Sequence, residues 1–185
     1  TLNYLGRERL SLPNLASHIA AGTDAAISVA DYFNTMLDQS MDWAMAEDIR
    51  KAWDGPFCLK GIMSVEDARR AVAIGATAIM VSNHGGRQLD GALSSIRALP
   101  PVADAIAGRI PVLMDGGIRT GLDVLRALAL GAKACLIGRA WAYALAADGR
   151  RGVSRAIEII RGELGVAMAL TGCTDVKQAG RDLLV

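Results

Sequence analysis

A chain of 185 residues with 52% hydrophobic content has enough apolar material for one domain with a core of its own. Its formal net charge of +1, with no local lysine/arginine cluster, and its 4% aromatic content leave neither an electrostatic footprint nor stacking platforms for nucleic acid. No run approaches ~18 consecutive apolar residues, so a membrane span is not expected, and no signal peptide is visible in a chain that opens on Thr1.

Residues 1–40 carry Gly6, Pro13 and scattered polar residues, followed by the weakly amphipathic TDAAISVADYF. They read as a long loop or excursion, either a solvent-exposed loop or a stretch touching a membrane surface or partner. His18 within it reads as a surface or packing residue. From residue 41 the pattern becomes regular. A helix over about 40–53 leads into a strand over about 56–60. The next helix, about 64–74, opens on Ser64 and Asp67, a capping-box-like pair, and closes on Gly75, where a left-handed residue is needed. A strand over about 77–82 and a helix over about 92–107 come next. The pattern then gives a strand at about 110–115, a helix at about 120–130 and a strand at about 134–138. Leu122, Leu125 and Leu128 lie on one side of that helix, and Gly131 closes it as Gly75 closes its counterpart. Helices over about 140–147 and 151–171 end the chain. The three cysteines stand in no metal-ligand or CxxC spacing. Cys58 and Cys135 fall in apolar runs and Cys173 near the last helix end, as expected of buried, reduced thiols in a cytosolic protein.

The order hides a repeat. PFCLKGIMSVEDARRAVAIGATAIMVSN from Pro56 aligns with PVLMDGGIRTGLDVLRALALGAKACLIGR from Pro111, offset by 55 residues at the start and 56 by the Gly75/Gly131 pair. One residue has been inserted. Continuous apolar strands alternating with short helices are the mark of a parallel sheet. The fold class expected is α/β: the C-terminal half of a TIM (β/α)8 barrel over residues 41–185, about four β/α units plus a C-terminal helix. A complete barrel typically needs about 250 residues. Four strands leave two open edges and an uncovered inner face, so the sequence reads as part of a larger assembly.

In a parallel barrel the chemistry gathers at the carboxyl ends of the strands. The first apolar run ends on Lys60-Gly61 and the second on Ser82-Asn83-His84-Gly85-Gly86-Arg87. The third ends on Asp115-Gly116-Gly117-Ile118-Arg119 and the fourth on Gly138-Arg139. His84 can exchange protons near neutral pH, and Arg87 can hold a carboxylate through two parallel bonds, a combination suited to a small organic acid. Gly116, Gly117 and Gly138 let backbone amides approach an anion, with Arg119 and Arg139 supplying charge beside helix N-termini. Asp115 can accept bonds from polyol hydroxyls or cap a helix. Lys60 can stabilise developing negative charge on an electron-rich heterocycle or pair with Asp115.

SNHGGRQLDG combined with DGGIRTGLDVLRALALGA and IGRA closely resembles the FMN-dependent L-2-hydroxy acid oxidoreductases, over roughly residues 40–185. WDGPFCLKGI and LDGALSSIRALPPVADAI look most like the bacterial L-lactate dehydrogenases within that family, and Tyr4-Leu5-Gly6 fits the excursion before the barrel half. The resemblance implies FMN as cofactor and oxidation of an L-2-hydroxy acid, L-lactate to pyruvate foremost. By matching position, Lys60 and Ser82 would lie at the flavin, His84 would be the base and Arg87 the substrate-carboxylate clamp. Asp115 would bind ribityl hydroxyls, and Gly116, Gly117, Arg119, Gly138 and Arg139 would form the phosphate end. It also implies an N-terminal half with the first four strands, substrate-contacting tyrosines and an aspartate that orients the histidine. No VDTP- or VDxP-like segment is present here. The expected partners are therefore that missing half, a small 2-hydroxy acid and further copies of the parent enzyme. The expected location is the cytoplasm or the inner face of the cell membrane. Two alternatives stand beside this reading. One is a non-catalytic half-barrel that at most binds FMN. The other is a nucleotide-binding barrel of the IMP dehydrogenase type, which needs a catalytic cysteine in a strand-end loop, whereas Cys58 and Cys135 fall inside strands.

Overall fold

The computed structural model describes residue 36 and residues 38–184. The chain divides into two units, Thr1–Asp42 and Trp43–Val185. The excursion expected over 1–40, with His18 in it, lies almost wholly outside the described residues.

The second unit alternates helix and strand: α1 (Trp43–Ala52), β1 (Cys58–Lys60), α2 (Val65–Ala73), β2 (Ala78–Val81), α3 (Ser95–Ile106), β3 (Val112–Met114), α4 (Gly121–Ala129), β4 (Ala134–Cys135) and α5 (Arg139–Thr171). The strands form one parallel sheet in the order β1-β2-β3-β4. This is half of a (β/α)8 barrel. Within α5 the backbone leaves helical values at Asp148 and Gly149, which separates the two helices the sequence pattern predicts.

One face of the sheet is buried against helices. Leu59, Ile79, Val81, Val112 and Met114 pack there with Ala98, Leu99, Val102 and Ile106 of α3. In α3 the buried positions run Ser95, Ala98, Leu99, Val102 and Ile106, the i, i+3, i+4, i+7, i+11 stripe of an amphipathic helix. Ala68, Ala71 and Ala127 let α2 and α4 approach closely. Side chains alternate across a strand, so Cys58, Lys60, Met80, Leu113 and Ala134 fall on the opposite, inner face. Cys58, Lys60 and Ala134 there are exposed. Among the described residues no further strand pairs with β1 or β4. The sheet thus keeps the open edges and uncovered face that four strands entail.

The repeat holds down to single hydrogen bonds. Gly75 donates to the Val72 carbonyl and Ala76 to that of Ala71, while Gly131 donates to Leu128 and Ala132 to Ala127, each at 3.0 Å. Both glycines have positive φ, +84° and +110°, where a side chain would be strained. At the other helix ends, Ser64 accepts the Asp67 amide and Thr120 accepts that of Asp123. Asp123 also reaches back to the Thr120 amide, which completes a capping box.

Three expectations need correction. Helix α3 starts at Ser95 rather than near residue 92, because the Leu93 carbonyl is taken by the Asn83 side chain at 3.3 Å. Strand β4 is paired over two residues only, since it meets β3 on one side and nothing described on the other. Leu122, Leu125 and Leu128 share one side of α4 with unequal burial: Leu125 is buried, Leu122 is 39% exposed. Residues at i, i+3 and i+6 fan across about 120° of helix, so the outer ones fall at the margins. Cys58 is exposed rather than buried, because it points to the inner face.

The tightest packing joins α4 to α5. A Cβ at Gly121 would stand 2.0 Å from the Leu164 amide nitrogen, inside α5 backbone that has no room to yield. Gly162, by contrast, has nothing within 4 Å of such an atom. Gly121→Ala should therefore destabilise the unit by about 3 kcal/mol or more in urea unfolding. Gly162→Ala should be neutral or stabilise by up to about 1 kcal/mol, since alanine is the better helix former. Equal effects from both would contradict the packing. A second test concerns thiols. Burial pushes the Cys135 thiol up to about 11, so only about one molecule in a thousand is thiolate at pH 8. Mass-mapped alkylation of the native chain at that pH should leave Cys135 almost unmodified, with the rate rising roughly tenfold per unit up to about pH 10 and levelling off above about pH 11.

Candidate functional site

The register of the sheet brings three polar side chains together. Lys60 is level with Met80, and Val81 with Met114. Ser82 is two residues past Met80 and Asp115 one past Met114, so by alternation both emerge on the inner face beside Lys60. The Lys60 ammonium donates to Ser82 Oγ at 2.8 Å and forms an ion pair with Asp115 Oδ2. Of the two readings of Lys60, the pairing with Asp115 is thus realised. The remaining oxygen, Asp115 Oδ1, is buried without a hydrogen-bond partner. A buried acceptor left in this state costs about 1–3 kcal/mol, so an incoming hydroxyl donor would be bound at a gain.

The loop after β2 carries the base and clamp candidates. His84, Gly85 and Gly86 have φ of +55°, +69° and +72°, three successive left-handed residues. Glycine takes this conformation freely, but a histidine must be held in it. The holding bonds are specific. Ser82 Oγ accepts the His84 amide at 3.2 Å, and Asn83 Oδ1 accepts that of Gly85 at 3.0 Å. The Gly86 amide donates to the Asn83 carbonyl at 3.0 Å. Ser95, buried at the start of α3, accepts the Asn83 amide at 3.1 Å. The His84 and Arg87 side chains are left exposed at the mouth. Gly116 is required by the same cluster, since a Cβ there would meet Ser95 Oγ at 2.8 Å and Asn83 Oδ1 at 2.9 Å.

The two glycine-arginine loops differ at their helices. At the start of α4 the amides are occupied by the protein's own carboxylates. Asp123 Oδ2 accepts from Arg119 and Thr120, each at 3.0 Å, and Glu163 accepts from Gly121 at 2.9 Å. Partial burial raises the Asp123 carboxyl, but bonds from the Arg119 amide and from the Thr120 hydroxyl and amide outweigh it, and the group titrates below the usual carboxylate range. The start of α5 is different: Gly138 stands at its N-cap, and among the described residues no side chain caps the following amides. Any anion held by helix amides in this cleft therefore belongs to α5, with Arg119 and Arg139 contributing charge.

These loops line one cleft of about 340 Å³. Lys60, His84, Arg87, Asp115, Gly116, Gly117, Arg119, Gly138 and Arg139 all border it. Ser82, the remaining candidate, is buried beneath it and reaches it through Lys60. Sequence reasoning missed the apolar wall formed by Ile118, Leu136, Ile137, Ala140 and Trp141. Trp141 carried a signal, an aromatic two residues past a strand-end arginine. It also missed Asn83 and Ser95, whose role depends on contacts invisible in the local pattern. The donor set suits FMN. An orphaned carboxylate oxygen fits a ribityl hydroxyl, an uncapped helix start with arginines fits a phosphate, and the apolar residues lining the same cleft fit a flat ring.

The relatives agree with this chemistry. L-lactate dehydrogenase of Ectopseudomonas mendocina (strain ymp) is 51% identical over 176 residues, covering 94% of this chain and 46% of the relative. That of Pseudomonas aeruginosa (strain LESB58) is 50% identical over 179 residues, covering 95% and 47%. This chain spans about half the length of these curated relatives. Among solved structures, a mandelate oxidase variant with a monooxide FMN adduct superposes with a TM-score of 0.73 at 52% identity, over 76% of this chain and 45% of that one. Mandelate oxidase with benzoyl-formic acid gives the same TM-score at 45% identity, over 83% and 49%. The family model described as FMN-dependent dehydrogenase matches residues 3–185, and the chain belongs to that family.

Proposed function

We infer that the parent protein oxidises an L-2-hydroxy acid to the 2-keto acid, L-lactate to pyruvate foremost, and that this chain carries its base, its carboxylate clamp and its FMN site. One observation carries the reading: His84 and Arg87 border the same cleft as Lys60, Asp115 and Arg139, so substrate chemistry and cofactor chemistry face each other. When bound, FMN supplies a two-electron acceptor. Arg87 holds the substrate carboxylate through its fork of donors, which fixes the α-carbon near the imidazole. His84 takes one proton from the substrate, from the α-carbon or the α-hydroxyl, and holds it on the ring. Lys60 keeps a fixed positive charge over the place where negative charge develops. Asp115 Oδ1 would accept a ribityl hydroxyl, and Gly116, Gly117, Arg119, Gly138 and Arg139 would hold the phosphate.

The exposed inner face, and the edges of β1 and β4 that no strand pairs with among the described residues, support a further element of the proposal. The other four strands of the barrel cover Cys58, Lys60 and Ala134 and pair with β1 and β4, within a parent that assembles from several copies. The second reading, a half-barrel that binds FMN without turnover, is separated by the same experiment. The chain is titrated with FMN while flavin absorbance is followed, then L-lactate is added. Saturable binding that Asp115→Asn weakens about tenfold is expected, as one lost charge-assisted bond predicts. Bleaching by L-lactate is expected in the assembled barrel. A chain that ignores FMN is a non-catalytic half-barrel and removes the proposed cofactor role of these residues. In the bleaching assay, Arg87→Ala should raise the half-saturating L-lactate concentration by roughly a hundredfold. His84→Ala should slow bleaching by about 10²–10⁴. An unchanged rate in the His84 variant removes it as the base.

A further inference from the structure

Within the left-handed turn at His84, the amides of His84, Gly85 and Gly86 are bonded to the neighbouring Ser82 and Asn83. A further bond comes from a distant element: Arg139, the first residue of α5, donates from Nη2 to the Gly85 carbonyl at 3.2 Å. The guanidinium also packs against the turn itself, since a Cβ at Gly85 would stand in ordinary contact with Arg139 Nη2, at 3.4 Å. A guanidinium has five N–H donors in a rigid fork. With one spent on Gly85, the others remain for the cleft that Arg139 borders with Gly117 and Gly138. Arg139 therefore touches the base-bearing loop and the anion end at once.

We propose that Arg139 is a positioning residue that couples anion occupancy at the start of α5 to the order of the His84 loop. The proposal rests on the phosphate role assigned above to this end of the cleft. An exposed guanidinium with a single carbonyl partner keeps much of its freedom. An anion that takes the free edge of the fork fixes the plane of the guanidinium, and a fixed plane holds the Gly85 carbonyl. Openings of the turn then become rarer, with His84 retained in its left-handed conformation. Coupling is reciprocal, so a held turn also favours the bound anion. Lysine at this position would keep the charge but offers a compact ammonium on a flexible stem, without a planar fork to join the two sites.

Amide hydrogen exchange of the full chain tests this, because the His84, Gly85 and Gly86 amides are all bonded within the turn and exchange only when it opens. Inorganic phosphate is the probe, its binding followed by phosphorus NMR at constant ionic strength set with sodium chloride. In the unaltered chain, saturating phosphate should slow exchange at these three amides by about three- to tenfold, with α3 amides unchanged. Arg139→Lys should still bind phosphate, yet its three amides should exchange at the phosphate-free rate. Arg139→Gln, without charge or fork, should bind phosphate weakly and also lose the response. Unchanged α3 exchange in both variants shows that they are folded. Phosphate binding with no slowing in the unaltered chain, or full slowing in Arg139→Lys, overturns the coupling and leaves the phosphate site standing. No phosphate binding by the unaltered chain overturns both.

Discussion

Parallel register is the constraint on which the site depends. Because β1, β2 and β3 run in one direction, their carboxyl ends meet, and because one face is buried against helices, the alternate residues all emerge on the other. Lys60, Ser82 and Asp115 are three products of that geometry. A slip of one residue in any strand would send its polar terminus into the apolar layer of Ile79, Val81 and Met114, where a charge has no partner. The apolar core thus enforces the position of the polar cluster without touching it.

The internal repeat gives that cluster a further logic. Aligned from Pro56 and Pro111, Lys60 and Asp115 occupy equivalent strand ends, and the inserted residue falls at the glycine pair that follows Asp115. Equivalent positions of the two units have diverged to opposite charge and now bind each other. Their neighbours have kept their structural tasks: Ile62 and Ile118 are both buried, Gly61 and Gly117 both have positive φ, and Ser64 and Thr120 both cap helices. Stability resides in the conserved half of each motif and chemistry in the divergent half. Leaving Asp115 Oδ1 without a donor is the cost of that arrangement, and a ligand hydroxyl would offset it.

Helix starts show the same division of labour. Those of α4 and α5 follow glycine-arginine loops of similar text, yet Asp123 and Glu163 close the first while, among the described residues, no side chain caps the second. Two carboxylates near Arg119 also lower the anion affinity of that corner relative to Arg139. The tight seat of Gly121 on α5 fixes Glu163 in place, so packing between two helices decides that the amides at the start of α4 are occupied.

Much of this was legible in the residues alone, for local reasons. Strand and helix order follows from runs and periods of apolar residues. Helix ends follow from Ser64, Gly75 and Gly131, whose capping chemistry acts within a few residues. The candidate residues followed from one rule about where parallel strands end. What the sequence left open involves partners far apart along the chain: Lys60 choosing Asp115, Arg139 reaching Gly85, Glu163 sealing α4, and Cys58 and Leu122 lying exposed. Capping and alternation are local, so the chain by itself determined its elements and which polar residues stand at their ends. Register and helix packing sum contacts between remote segments, so only the tertiary structure decided which of those residues meet.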